Sequence, residues 1–248
     1  MTVLLRLAKT LWIYFWAILS SLLLFVPICL AAFFSRTGNL AFNLSQLWAW
    51  IMLKVTCVRV MTRGRDKIRQ GQSYIIIANH ASVYDILALV TGLRTQYRWI
   101  IKKELLRIPL FGYALYASRN IFIDRADPAR AVESIHKGLD RLPVGVSVLF
   151  FAEGTRSPDG RIRPFKKGGF VMAVEKGLPI LPVTINGSRG ILPKKSVAFN
   201  PGTVEVVVGD PIATEGEDRD HLEALIERTR NVIIANYRSG EQALLTGH

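Results

Sequence analysis

Tyr74–Asp85 reads YIIIANHASVYD. Ile75, Ile76, Ile77 and Ala78 form a short apolar run that suits a strand buried on both faces, and Asn79 and His80 end it. An acid, Asp85, follows His80 at the fifth position. On one continuous α-helix such a pair would lie about 140° apart, so the spacing places His80 in a turn and Asp85 in the helix behind it, where the side chains converge. Ser82 fits the N-cap of that helix and Asp85 its third position, the pattern of a capping box. The carboxylate is then fixed by backbone amides while it orients the imidazole, leaving the other ring nitrogen to take a proton. Plain helix capping, with His80 an ordinary loop residue, fits the same letters.

A second segment, VSVLFFAEGTRSPDGR from Val146 to Arg161, repeats the plan: a β run to Phe151 breaks into Glu153, Gly154, Thr155, Arg156 and Ser157. Gly154 permits positive φ or close backbone approach, and Arg156 offers planar, bidentate recognition of phosphate or carboxylate. A polar turn with a surface Glu–Arg pair is the plainer alternative.

Beyond residue 70 the pattern alternates. Strands are predicted over Tyr74 to Ala78, Tyr97 to Ile101, Ile121 to Ile123, Ser147 to Phe151, Ile180 to Ile185 and Thr203 to Val208. Helices are predicted near Val83 to Leu93, Leu110 to Ala117, Pro128 to Leu139, Phe165 to Lys176 and Arg219 to Tyr237. Strand and helix in turn imply an α/β fold, a mixed or largely parallel sheet flanked by helices. In such sheets functional groups gather at the carboxyl ends of strands, where both His80 and Glu153 to Arg156 fall.

Together the two segments resemble the glycerolipid acyltransferase family. Its NHxxxxD block stands here as Asn79 to Asp85 and its EGTRS block as Glu153 to Ser157, with Ala152 where many members carry Pro. Weaker blocks follow in the family's order: Phe111 and Gly112 leading to Ile121–Arg125, and Leu181-Pro182-Val183 ahead of Asn186-Gly187. The resemblance implies a lysophosphatidic acid acyltransferase that esterifies the sn-2 hydroxyl of 1-acylglycerol 3-phosphate. His80 would be general base and Asp85 its orienting partner. Arg125, Glu153, Gly154, Thr155, Arg156 and Lys103, or its neighbour Lys102, would position the glycerol phosphate. The co-substrate implied is acyl-CoA or acyl carrier protein thioester, with no cofactor and no metal. A different lysolipid acceptor, or a non-catalytic module binding anionic lipid, are the competing expectations.

The chain has 248 residues, with 32 Lys and Arg against 19 Asp and Glu, a formal net charge of +13. That excess suits nucleic acid, an anionic bilayer surface or an acidic protein. The N-terminus chooses the bilayer: the 26 residues from Thr10 to Ser35 carry no charge, enough to span hydrocarbon. No small-x-small site follows, which argues against a cleaved signal peptide. A second uncharged stretch of 17 residues separates Arg36 from Lys54. Arg6 and Lys9 precede the pair, and Lys54, Arg59, Arg63, Arg65, Lys67 and Arg69 follow it. The expectation is a membrane-embedded two-helix hairpin over residues 1–60, both outer ends cytoplasmic, ahead of an α/β domain at 61–248. The implied location is the bacterial inner membrane, with the active site at the cytoplasmic face and anionic phospholipid as a partner. Nucleic acid fits the charge but not the apolar segment. Cys29 and Cys57 have no metal-ligand spacing, and His80, His136, His221 and His248 are scattered.

Overall fold

The computed structural model describes residues 3–238 apart from 125, 195, 197, 218 and 219. Seven strands form one sheet in the order β1-β7-β6-β2-β5-β3-β4. They are β1 Val58–Arg63, β2 Ile75–Ala78, β3 Tyr97–Lys102, β4 Ile121–Ile123, β5 Ser147–Phe151, β6 Ile180–Asn186 and β7 Gly202–Val208. From β6 across to β4 all neighbours are parallel. Strand β7 is antiparallel to β6 and carries β1 parallel to itself. The sheet is therefore mixed. At its centre every residue of β2 and of β6 is buried, which is why β2 reads as an unbroken apolar run and β6 as a mostly apolar one.

Period-two alternation divides the core between the two faces. Tyr74, Ile76 and Ala78 pack against α2 Asn39–Val55 and α3 Tyr84–Gly92. Ile75 and Ile77 face α5 Pro128–Asp140, α6 Gly168–Lys176 and α8 Leu222–Asn236. Helix α1, Val3–Phe34, and α4, Phe111–Ala117, lie on the first face over α2, with Leu24, Ile28, Ala31, Ala41 and Ala117 buried among them. A single turn, α7 Ser188–Ile191, follows β6.

The six strands and five helices expected from the sequence form within a few residues of their expected ends. At the N-terminus two helices, α1 and α2, stand where the helical pair is expected. Helix α2 buries Phe42, Ala49, Met52 and Leu53 in the core shared with β2 and α3, so it is a layer of the α/β unit. Strand β1 begins at Val58, inside the segment expected to be anchor. Arg59 and Arg63, read as charges flanking a membrane segment, are residues of that strand, and Arg63 pairs with Glu205 of β7 at 2.8 Å. Among the described residues only α1 is long and apolar enough to cross a membrane. It runs through Pro27 without interruption.

Candidate active site

Strands β2 and β5 are neighbours in the sheet, yet α3 follows β2 onto one face and α6 follows β5 onto the other. The chain departs in opposite directions from adjacent carboxyl ends, opening the crevice in which α/β folds bind ligands. Both sequence motifs are the loops that line it.

Asn79 ends β2 by bridging to β6: its side-chain carbonyl accepts from the Ile185 amide at 2.8 Å, and its NH2 donates to the Ile185 carbonyl at 3.0 Å. That clamp fixes the turn carrying His80. Asp85 is wholly buried, and its Oδ2 accepts from the amides of Ala81 and Ser82 at 2.7 and 2.8 Å and lies 2.8 Å from His80 Nδ1. An ionised carboxylate only accepts, so a neutral His80 held by it donates from Nδ1 and keeps Nε2 as its acceptor. The capping box forms with one change: Asp85 reaches back to the Ser82 amide, while the Ser82 hydroxyl accepts from Tyr84 and donates to Leu192. The helix starts at Tyr84, one residue later than expected. The imidazole stacks on Phe151, centroids 3.8 Å apart and planes within 10°, and Trp99 stacks behind Phe151 at 5.5 Å.

The two motif loops are joined through the backbone of His80. Its amide donates to Glu153 Oε1 at 2.8 Å, and its carbonyl accepts from the Ser157 amide at 2.8 Å. Glu153 Oε2 accepts from the Arg163 amide at 3.1 Å. Burial holds the Glu153 carboxyl above its ordinary range, against the pull of those two amides. A raised folded-state pKa favours folding most below the unfolded value, and that contribution is lost as pH rises through the folded value. Glu153→Gln removes this titration and offers one acceptor for two amides, leaving a buried N–H unmatched at a cost of about 1–3 kcal/mol. Melting curves should therefore show the variant less stable at neutral pH, with a flatter dependence than wild type across the range just above pH 4.5. Parallel curves would exclude Glu153 as the titrating group.

Among known proteins, the acyltransferase family model matches residues 59–186. The chain is 35% identical over 187 residues to a 1-acyl-sn-glycerol-3-phosphate acyltransferase of Pseudomonas aeruginosa, covering 75% of this chain and 72% of that one. It is 31% identical to the human 1-acyl-sn-glycerol-3-phosphate acyltransferase alpha, over 92% and 78% of the two chains. This chain belongs to the acyltransferase family. The crystal structure of the 1-acyl-sn-glycerophosphate acyltransferase PlsC from Thermotoga maritima superposes with a TM-score of 0.79 at 28% identity, covering 94% of this chain and 97% of that one.

The remaining motif residues of this acyltransferase surround the crevice unevenly. Gly154 has φ +72°, and a Cβ there would lie 2.7 Å from Lys166 Cε, so the lysine stem rests on the motif loop. Thr155 and Arg156 follow on that loop, the first exposed and the second half-buried, and the Arg156 backbone carbonyl accepts from Lys194 Nζ at 2.8 Å. Lys103 follows the carboxyl end of β3 and is ion-paired with Asp124 beyond β4. Arg125 lies outside the described residues. Two strand spacings of about 4.8 Å separate β2 from β3, so Lys103 approaches the imidazole only by the length of its side chain. Among the described residues no three His, Cys, Asp or Glu side chains come together as a metal site.

Sequence reasoning missed Phe151, Lys194 and Tyr237. The Tyr237 hydroxyl donates to the Gly160 carbonyl at 2.5 Å, tying the C-terminal segment to the motif loop. Burial, reinforced by the nearby Asp85 and Glu153 charges, raises its pKa. Tyr237 and Lys194 lie outside both motifs and carried no local signal. Phe151 read only as the last apolar residue of a strand.

Proposed function

We propose that this acyltransferase moves a fatty acyl group from a thioester to the sn-2 hydroxyl of 1-acylglycerol 3-phosphate, giving phosphatidic acid. The observation that carries this is the oriented His80–Asp85 couple in the crevice, with Nδ1 2.8 Å from the carboxylate. The names of the relatives point to the same acceptor. His80 Nε2 takes the hydroxyl proton as the oxygen attacks the thioester carbonyl. The new O–C bond forms, the C–S bond breaks, and the imidazolium returns the proton to the leaving thiolate. Asp85 stabilises the imidazolium in between. The atoms balance without a cofactor, and the donor is acyl-CoA or acyl carrier protein.

Arg156, on the loop of Gly154 and Thr155, supplies charge-assisted bonds to the acceptor phosphate, with Lys103 and Arg125 as the further cations the family resemblance implies. An apolar cavity of about 110 Å³ is lined by Leu24, Ile28, Trp48, Val90, Trp99 and Phe111. Trp99 stacks on the ring that backs His80, so the cavity adjoins the reaction centre and suits an alkyl chain. Given 1-acylglycerol 3-phosphate and monoacylglycerol, wild type should strongly prefer the first. Arg156→Gln should raise its KM about tenfold or more while the donor's KM changes little. Equal use of the two acceptors would refute the phosphate reading.

The enzyme resides, on this reading, at the cytoplasmic face of a bacterial inner membrane. Helix α1 is held along its length to the domain: Lys9 Nζ donates to the Phe199 carbonyl, Trp12 Nε1 to the Val55 carbonyl, and Phe25 meets the Tyr113 ring. Its outer face exposes Leu11, Phe15, Ile18, Leu22, Val26 and Phe33. That apolar stripe supports burial in one leaflet beside the catalytic domain. Attachment by apolar burial persists at about 1 M salt, where the Debye length is ~3 Å. The full-length protein should stay in the membrane fraction after such a wash and leave it only in detergent; release of active enzyme by salt alone would show electrostatic attachment instead.

A further inference from the structure

After β3 the chain reads KKELLRIPLFGY, from Lys102 to Tyr113. Leu105, Leu106 and Ile108 are exposed there, at 37, 42 and 44%, on a 3₁₀ turn over Lys103–Arg107. Together with exposed Tyr113 and Tyr116 they make one apolar patch, the kind of surface that marks an interaction site. The turn is built to protrude rigidly: Gly112 packs so closely that a Cβ would lie 2.4 Å from the Leu106 carbonyl oxygen, and the Ile108 and Gly112 amides close the loop on Leu105 and Ile108. Leu110 holds φ +61°, outside the region comfortable for a leucine.

We propose that Leu105, Leu106 and Ile108, with Tyr113 and Tyr116 of α4, form a second membrane-inserting element that enters an anionic lipid surface beside α1. Two observations select lipid as the occupant. The patch continues the outer face of α1: Phe25 and Tyr113 meet edge to face at 6.0 Å, and the α1–α2 turn at Gly38 packs on Arg119 at the end of α4. The apolar tip is also flanked by exposed Arg107, whose stem can reach along an apolar surface while its charge stays with lipid phosphates, and by exposed Lys102 and Lys103, which are ion-paired with Glu104 and Asp124. The next residues, Leu110 and Phe111, line the apolar cavity. The element that enters the lipid is therefore also a wall of that cavity. Tyrosines at its border suit the headgroup level.

This inference rests on α1 lying in the membrane, and the test separates the two. In full-length protein with Cys29→Ser and Cys57→Ser, an environment-sensitive fluorophore is attached through Leu106→Cys, Ile18→Cys on the outer face of α1, or Ala224→Cys on α8 across the sheet. Each protein is reconstituted into vesicles of phosphatidylcholine and phosphatidylglycerol containing a lipid with a nitroxide high on its acyl chain. At the roughly 5–10 Å depth of interfacial segments, the label at 106 should be quenched about as strongly as that at 18, while that at 224 is not quenched. A label at Ile108→Cys should repeat the result at 106. Quenching at 18 with none at 106 and 108 overturns the second element and leaves the α1 reading standing; no quenching at 18 overturns both.

Discussion

Replacing His80 with alanine is expected to lower kcat by about 10²- to 10⁴-fold, the range a positioned general base supplies. Asp85→Asn should fall in the same range for a different reason. The Asn amide can donate toward Nδ1, which would then become an acceptor and move the ring proton to Nε2, the atom that must take the substrate proton. Because the two residues act as one unit, the double variant should be hardly worse than His80→Ala alone. Binding of the protein to membranes should not change. Multiplicative losses would mean that Asp85 contributes separately from the imidazole, and an active His80→Ala protein would end the mechanism.

The second large effect falls on stability. Arg98, in β3, is fully buried, and among the described residues it has no ion-pair partner. Its guanidinium donates to the Tyr97 and Thr37 carbonyls, both at 2.9 Å, to Asn39 Oδ1 at 2.6 Å and to Gln96 Oε1 at 3.1 Å, and it stands 5.4 Å over the Phe42 ring. Burial pulls its pKa down to about 10, so the charge persists at neutral pH. These bonds fasten the turn between α1 and α2 to the sheet, one residue from Trp99 in the aromatic stack. Arg98→Met keeps the apolar stem but strands four acceptors; with each buried orphan costing about 1–3 kcal/mol and partial solvation of some, the expected loss is about 3 kcal/mol. For a chain of this size that lowers Tm by roughly 6–12 °C. A change under about 1 kcal/mol would mean that α1 and α2 are held by apolar packing alone.

The α/β alternation and both motif turns were legible in the sequence because the central strands are short, apolar and bounded by polar turns. Strand β1 was not. VRVMTR carries two arginines, and just after a long uncharged stretch its charges resembled a membrane flank; only pairing with β7 makes it a strand. In helix α2 the apolar residues that bury against α3 and β2 cannot be told by composition from residues that face lipid. Within the site, the spacing of His80 and Asp85 announced their convergence. The backbone role of Glu153 did not show, since the family resemblance implied a contact to substrate rather than to the amides of His80 and Arg163. Lys194 and Tyr237 reach the motif loop from distant segments, a tertiary fact with no local trace.

The most direct measurement is the product made by purified full-length protein in vesicles from radiolabelled 1-acylglycerol 3-phosphate and an acyl thioester. The account predicts labelled phosphatidic acid, one thiol released per ester formed, and loss of both signals in His80→Ala. Thiol release without labelled phosphatidic acid, or an undiminished yield from the His80→Ala protein, would contradict it.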